Sequence, residues 1–130
     1  MEITNLEELD KHYGDFTDAV ISKIVFEQND YGTTAVLHLS SRLVSTERNQ
    51  YDSIVISFFN VEEIEFIQPF RGTSFRPWAG NSLKFEDKYI FGFEPFNENL
   101  KSVEEIKKSN FYIICKSFVL ESVPKCSVLD

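Results

Sequence analysis

Apolar side chains recur at every second position over residues 33–44: Ala35, Leu37 and Leu39 fall on one parity, and His38, Ser40 and Arg42 on the other. Successive side chains of a strand point to opposite faces, so this period gives one segment an apolar and a polar face. A helix would need a period of about 3.6 residues instead. The pattern returns along the chain. Residues 16–28 carry Val20, Ile24 and Phe26 on one parity, broken by Ser22; residues 53–59 carry Ile54, Ile56 and Phe58. Residues 61–67 set Ile64 and Phe66 against Glu63 and Glu65, and residues 89–96 align Tyr89, Phe91 and Phe93. With a short run at 83–85 and a long one at 111–123, through Phe111, Ile113, Cys115 and Val119, this predicts about seven strands.

Thirteen Phe, five Tyr and one Trp against a single Met make the core aromatic and fit strands rather than a helical bundle. Asn29-Asp30-Tyr31-Gly32 supplies turn chemistry between residues 16–28 and 33–44, which predicts a hairpin. Residues 45–52 read as a polar loop, and Asn60-Val61 either bends one long strand or divides two. A short helix is expected over 5–12, capped by Thr4 or Asn5 and ended by Gly14. Leu100, Val103 and Ile106 have helical spacing within 98–109, which suits a short helix or a loop. The expected architecture is one mainly β domain over 1–130, at the margin of α+β: an antiparallel β-sandwich or curved sheet with a short N-terminal helix and a flexible tail at 124–130. A domain near this size buries roughly two thirds of its unfolded surface, enough for a true core.

The formal net charge is −8, and residues 1–30 hold eight acids against Lys11 and Lys23. An acidic field repels phosphate backbones and anionic lipid, so neither nucleic acid nor a membrane is an expected partner. It attracts a basic protein. Residues 1–14 show no basic stretch followed by an apolar one, and no apolar run approaches the roughly 20 residues of a membrane span, so a cytoplasmic location is expected. Cys115 and Cys126, the only cysteines, suit a reducing compartment; a disulfide between them is unneeded.

Catalytic patterns are sparse. No phosphate-cradling glycine loop or nucleophile elbow is present, and His12 and His38 share no metal-ligand spacing. Cys115 falls on an apolar parity, whereas a reactive thiolate wants an electropositive, reachable pocket. Paired carboxylates are plentiful at Asp15 and Asp18 and at Glu62, Glu63 and Glu65, and they read first as a solvated acidic face. No enzyme activity, metal or cofactor is therefore expected. Residues 70–82 form the longest irregular stretch and hold Arg71, Phe75, Arg76 and Trp78, types enriched where interfaces bind tightest. The plainer alternative has Trp78 closing the core while the arginines pair with acids.

Residues 13–24 resemble a pattern of small bacterial immunity proteins, in which phenylalanine, histidine and aspartate precede two isoleucines spaced by three and a hairpin follows; Phe16, Asp18, Ile21 and Ile24 match. Residues 59–64 resemble the family's later strand, and Cys115-Lys116-Ser117-Phe118 stands where its closing strand does. In element order the resemblance spans residues 6–120. Thr17 replaces the usual histidine, so no role of that histidine carries over. The resemblance implies a non-enzymatic, cytoplasmic immunity protein of a polymorphic-toxin or contact-dependent growth inhibition system. Such a protein neutralises a cognate toxin domain, often a nuclease, by covering its active site or blocking access to its target.

The charge supports the same expectation, because a nuclease is basic where it holds phosphates. Asp15, Asp18, Glu62, Glu63 and Glu65 are then the expected electrostatic face, with Trp78 and Arg71 or Arg76 as anchors. The runner-up is a small-ligand-binding β domain, and the third reading a carboxylate-based hydrolase. A homodimer through a long edge strand such as 111–123 is a further expectation.

Overall fold

The computed structural model describes residues 2–14, 16, 20–30, 32–42, 51–66, 79–94, 102–109 and 111–124. They form β1 (Glu2–Ile3), α1 (Leu6–Tyr13), β2 (Val20–Asn29), β3 (Gly32–Arg42), β4 (Tyr51–Phe59), β5 (Glu63–Phe66), β6 (Ala79–Phe85), β7 (Lys88–Glu94), α2 (Val103–Ile106), β8 (Phe111–Cys115) and β9 (Ser117–Pro124). The alternation is realised as two antiparallel sheets, ordered β1-β9-β4-β3-β2 and β5-β8-β7-β6. Arg71, Arg76, Trp78, Asp15, Asp18, Cys126 and the expected tail beyond Pro124 lie outside the described residues.

Strand register turns the sequence parity into rows across each sheet. Ile24, Leu37, Ile56, Leu120 and Ile3 form one row across all five strands of the first sheet. Phe26, Ala35, Phe58 and Phe118 form another. On the second sheet, Ile64, Ile113 and Phe91 share a row, and Phe111 pairs with Phe93. Apart from Phe26 at the sheet edge, both sets enter or pack against one core cluster. Rings bridge the sheets: Phe91 lies 5.0 Å from Phe58 and 4.9 Å from Phe118, edge to face. Burial of each such side chain contributes about 1.5–3 kcal/mol.

Two sequence expectations fail for a shared reason: local irregularities shift parity. Simple alternation sets Val20 beside Ile24, but the register shifts between Ile21 and Lys23, so one residue more stands on β2 than on β3. The bulge puts Ile21 opposite core-facing Leu39, and Val20 opposite Ser40 on the other face. The run 111–123 reads as one strand, but it is two. β8 belongs to the second sheet and β9 to the first, with the chain crossing at Lys116. Parity flips there, so Val119 pairs with Ser57 outside the core while Phe118 and Leu120 enter it. β8 lies between β5 and β7, and β9 between β4 and the two-residue β1, which covers only Leu120 and Glu121, so 111–123 is not the one long edge strand expected for a dimer.

The division at Asn60 has the same origin. β4 and β5 lie in different sheets, and Asn60 adopts φ 53, a left-handed turn that asparagine tolerates. Phe59 pairs with Ser117 and Glu63 with Ile114, so residues 60–62 oppose only 115–116. One antiparallel pair is thereby folded over a corner. Lys116 N–H donates to Phe59 C=O at 3.1 Å, and Glu62 N–H to Ile114 C=O at 2.8 Å, which satisfies the backbone through the bend.

α1 adds Leu9 and Tyr13 to the core, and α2 covers the outer face of the second sheet. Asn5 caps α1 by accepting from Glu8 N–H at 2.8 Å, and Gly14 ends it at φ 56, donating to Asp10 C=O. Phe16, expected to begin a strand, instead turns back with φ 51 and stacks on Tyr13, its ring 6.1 Å from Phe93 of the second sheet. Of the polar loop expected over 45–52, Tyr51 and Asp52 pair in β4 instead, and 45–50 lie outside the described residues. Within 98–109, α2 is capped by Ser102, whose hydroxyl accepts from Glu105 N–H and donates to Glu105 Oε1, both at 3.1 Å. Ile106 and Val103 of α2 cover Ile90, Tyr112 and Ile114 on the outer face of the second sheet. β8 is buried on both faces for that reason.

Candidate protein-interaction surface

The three expected acids that lie among the described residues come together. Glu62 precedes β5, and Glu63 and Glu65 share its outer parity, all three exposed. β5 ends the second sheet, so these carboxylates stand at its rim beside the inter-sheet corner. Ile64, between them, packs inward. Alternation thus separates charge from core within four residues.

Other elements supply basic and phenolic neighbours. Lys88 Nζ, at the start of β7, lies 3.0 Å from Glu62 Oε1, and Lys107 Nζ, just past α2, lies 3.7 Å from Glu63 Oε2. Tyr112 donates its hydroxyl to Glu63 Oε2 and stands directly opposite Glu65 in the register. The bond to Glu63 and, after it, burial hold the phenol protonated far above its ordinary range. The carboxylate of Glu63 is therefore held in place, which lowers the entropy lost when it meets a partner. Glu86 and Asp87, in the turn before Lys88, add negative field there and help raise the Lys88 pKa, after the dominant contact with Glu62.

The acidic rim is thus interleaved with lysines rather than purely acidic. Nothing in the local sequence around 62–65 marks Lys88, Lys107 or Tyr112 as its neighbours. They arrive through β7, α2 and β8, and only sheet order brings them near. On α1, Glu7 and Asp10 are exposed, while Glu8 lies 3.4 Å from His12.

Cys115 and His38 lie in different sheets, one in the core and one on an outer face. Cys115 is a free thiol, 0% exposed, in the core, and burial pushes its pKa up to about 12. His38 pairs with Lys23 and Val55 on the outer parity of the first sheet. Among the described residues, no group of three or more His, Cys, Asp or Glu is placed to hold a metal ion. No helix among them is long and apolar enough to cross a membrane.

Of the residues that carry the immunity-protein resemblance, Phe16, Ile21 and Ile24 all serve the core. They speak to the scaffold more than to a binding surface. No protein-family model matches the chain, and no curated protein or solved structure matches it at a significant level.

Proposed function

We propose that this protein is a toxin-neutralising binding protein of the cytoplasm, which docks a basic protein domain through its acidic surface and has no catalytic role of its own. The observation that carries this reading is the exposed rim Glu62, Glu63 and Glu65 on a chain of net charge −8. Such a field accelerates encounter with a basic partner and fixes orientation, while apolar or aromatic contacts hold the complex. A toxin that acts on nucleic acid is basic at its phosphate-binding cleft, so the same acids that dock it cover the surface it needs. The short-motif resemblance at 13–24 and 59–64 supports the same class.

The test uses the polymorphic C-terminal domain of a secreted protein encoded directly upstream of this chain's gene. A tight one-to-one complex that abolishes the domain's toxicity is expected. Its association rate should fall steeply with added salt and should drop in Glu62→Gln/Glu63→Gln/Glu65→Gln. No complex with that domain overturns the proposal, and a salt-independent rate removes its electrostatic part.

A further inference from the structure

We infer that two copies of this chain join through β2, antiparallel and centred on Val25, to make a continuous ten-stranded sheet from the two five-stranded ones. β2 ends the first sheet, ten residues long, and among the described residues no strand lies on its far side. Its hairpin closes with Asn29 opposite Gly32 across a two-residue turn, so the ladder bonds to β3 fall at Asn29, Glu27 and Val25. The N–H and C=O of Ile24 and Phe26 therefore point away from β3, as donors and acceptors for another strand.

The side chains select the partner and the register. Phe26 sits on the core parity, in the row of Ala35 and Phe58, yet it is 51% exposed. On the other face, Lys23 and Glu27 stand two residues either side of Val25, both exposed. A two-fold axis through Val25 sets Lys23 against the partner's Glu27 and Glu27 against the partner's Lys23. It also sets Ile24 against the partner's Phe26, extending the apolar row. Axes through Lys23 or Glu27 would instead oppose like charges, which disfavours them. A lysine near the middle of an edge strand ordinarily repels a second copy. Here the glutamate four residues on converts that repulsion into two ion pairs, in this one register. The interface is isologous and closes as a dimer.

Light scattering coupled to size exclusion, at low salt and across micromolar to submillimolar protein, tests this. Wild type should pass from monomer to dimer as concentration rises. Lys23→Glu and Glu27→Lys should each weaken self-association by at least about tenfold, since each turns both ion pairs into repulsions. Mixing the two variants should restore the dimer, because both facing positions are acidic in one chain and basic in the other. Circular dichroism verifies that both variants fold, and amide exchange at Ile24 and Phe26 should slow in the dimer. A wild type monomeric throughout, variants that associate like wild type, or a mixture that stays monomeric would each overturn the inference. None of these outcomes depends on whether a toxin partner exists.

Discussion

The hydroxyl of Tyr13 donates a 2.9 Å hydrogen bond to Oδ2 of Asp52 inside the protein, 39 positions along the chain. It ties the last residue of α1 to the start of β4, next to Ser41, which Asp52 opposes in the register. Removing the Tyr13 hydroxyl takes this donor from a buried carboxylate, and removing Asp52 leaves the buried phenol with Ser122 alone. Tyr13→Phe and Asp52→Ala should each lower unfolding stability by about 1–3 kcal/mol in urea titrations. The double variant should cost less than the two losses together, since a shared bond is lost only once. Fully additive losses would show that the bond contributes little.

Alkaline pH should destabilise the fold in two overlapping stages. Burial pushes the Cys115 thiol from 9.0 to about 12, and the Tyr13 phenol from 10.0 to about 12, with Asp52 adding to the latter and Ser122 opposing it. A group whose pKa is raised on folding stabilises fully below its unfolded pKa and loses that stabilisation as pH climbs to the folded one. The urea midpoint should therefore hold up to pH 9 and fall between 9 and 12, with Tyr112, held protonated by Glu63, carrying the fall further. Cys115→Ala should blunt the early part of the fall and Tyr13→Phe the later part, measured as midpoints against pH.

Gly92 is where α2 meets the second sheet. A Cβ there would overlap Ile106 Cγ2 and come within 3.0 Å of Ser109 Oγ. Gly92→Ala should cost about 1–3 kcal/mol by overpacking, read as a lowered unfolding midpoint. Ile106→Leu removes the Cγ2 branch, so the double variant should recover part of the loss. A neutral Gly92→Ala would mean that α2 shifts freely.

Two phenylalanines of equal size should differ sharply. Phe91 is packed between Phe58 and Phe118, whereas Phe26 is half exposed. Phe91→Ala should cost about 3–5 kcal/mol. Phe26→Ala should leave the unfolding midpoint of dilute protein near wild type. Denaturant titration of the two variants side by side distinguishes them, and equal losses would contradict the placement of the core.

Several elements are legible because local chemistry fixes them alone. Asn5 and Gly14 bound a helix through their own side-chain and backbone preferences, and the turn at Asn29 to Gly32 closes a hairpin. Parity in 33–39 and 54–58 sorts core from surface directly. The surface acids Glu62, Glu63 and Glu65 follow from the same alternation around Ile64. Their setting is not legible, because Lys88, Lys107 and Tyr112 reach them from three other elements.

The sequence by itself determined the period of two, the aromatic core and the excess of acid, since each is a property of neighbouring residues. Only the tertiary structure decided that the chain changes sheets at Asn60 and at Lys116. Apolar runs resume directly after Asn60 and after Lys116-Ser117, and alternation has the same period on either side of a crossing. The choice rests on which strand offers the next ladder of N–H and C=O groups, a pairing between segments distant along the chain, as between Phe59 and Ser117 or Glu63 and Ile114. The same pairing divides 111–123 between the two sheets and leaves β2, with Lys23, Val25 and Glu27, at the rim.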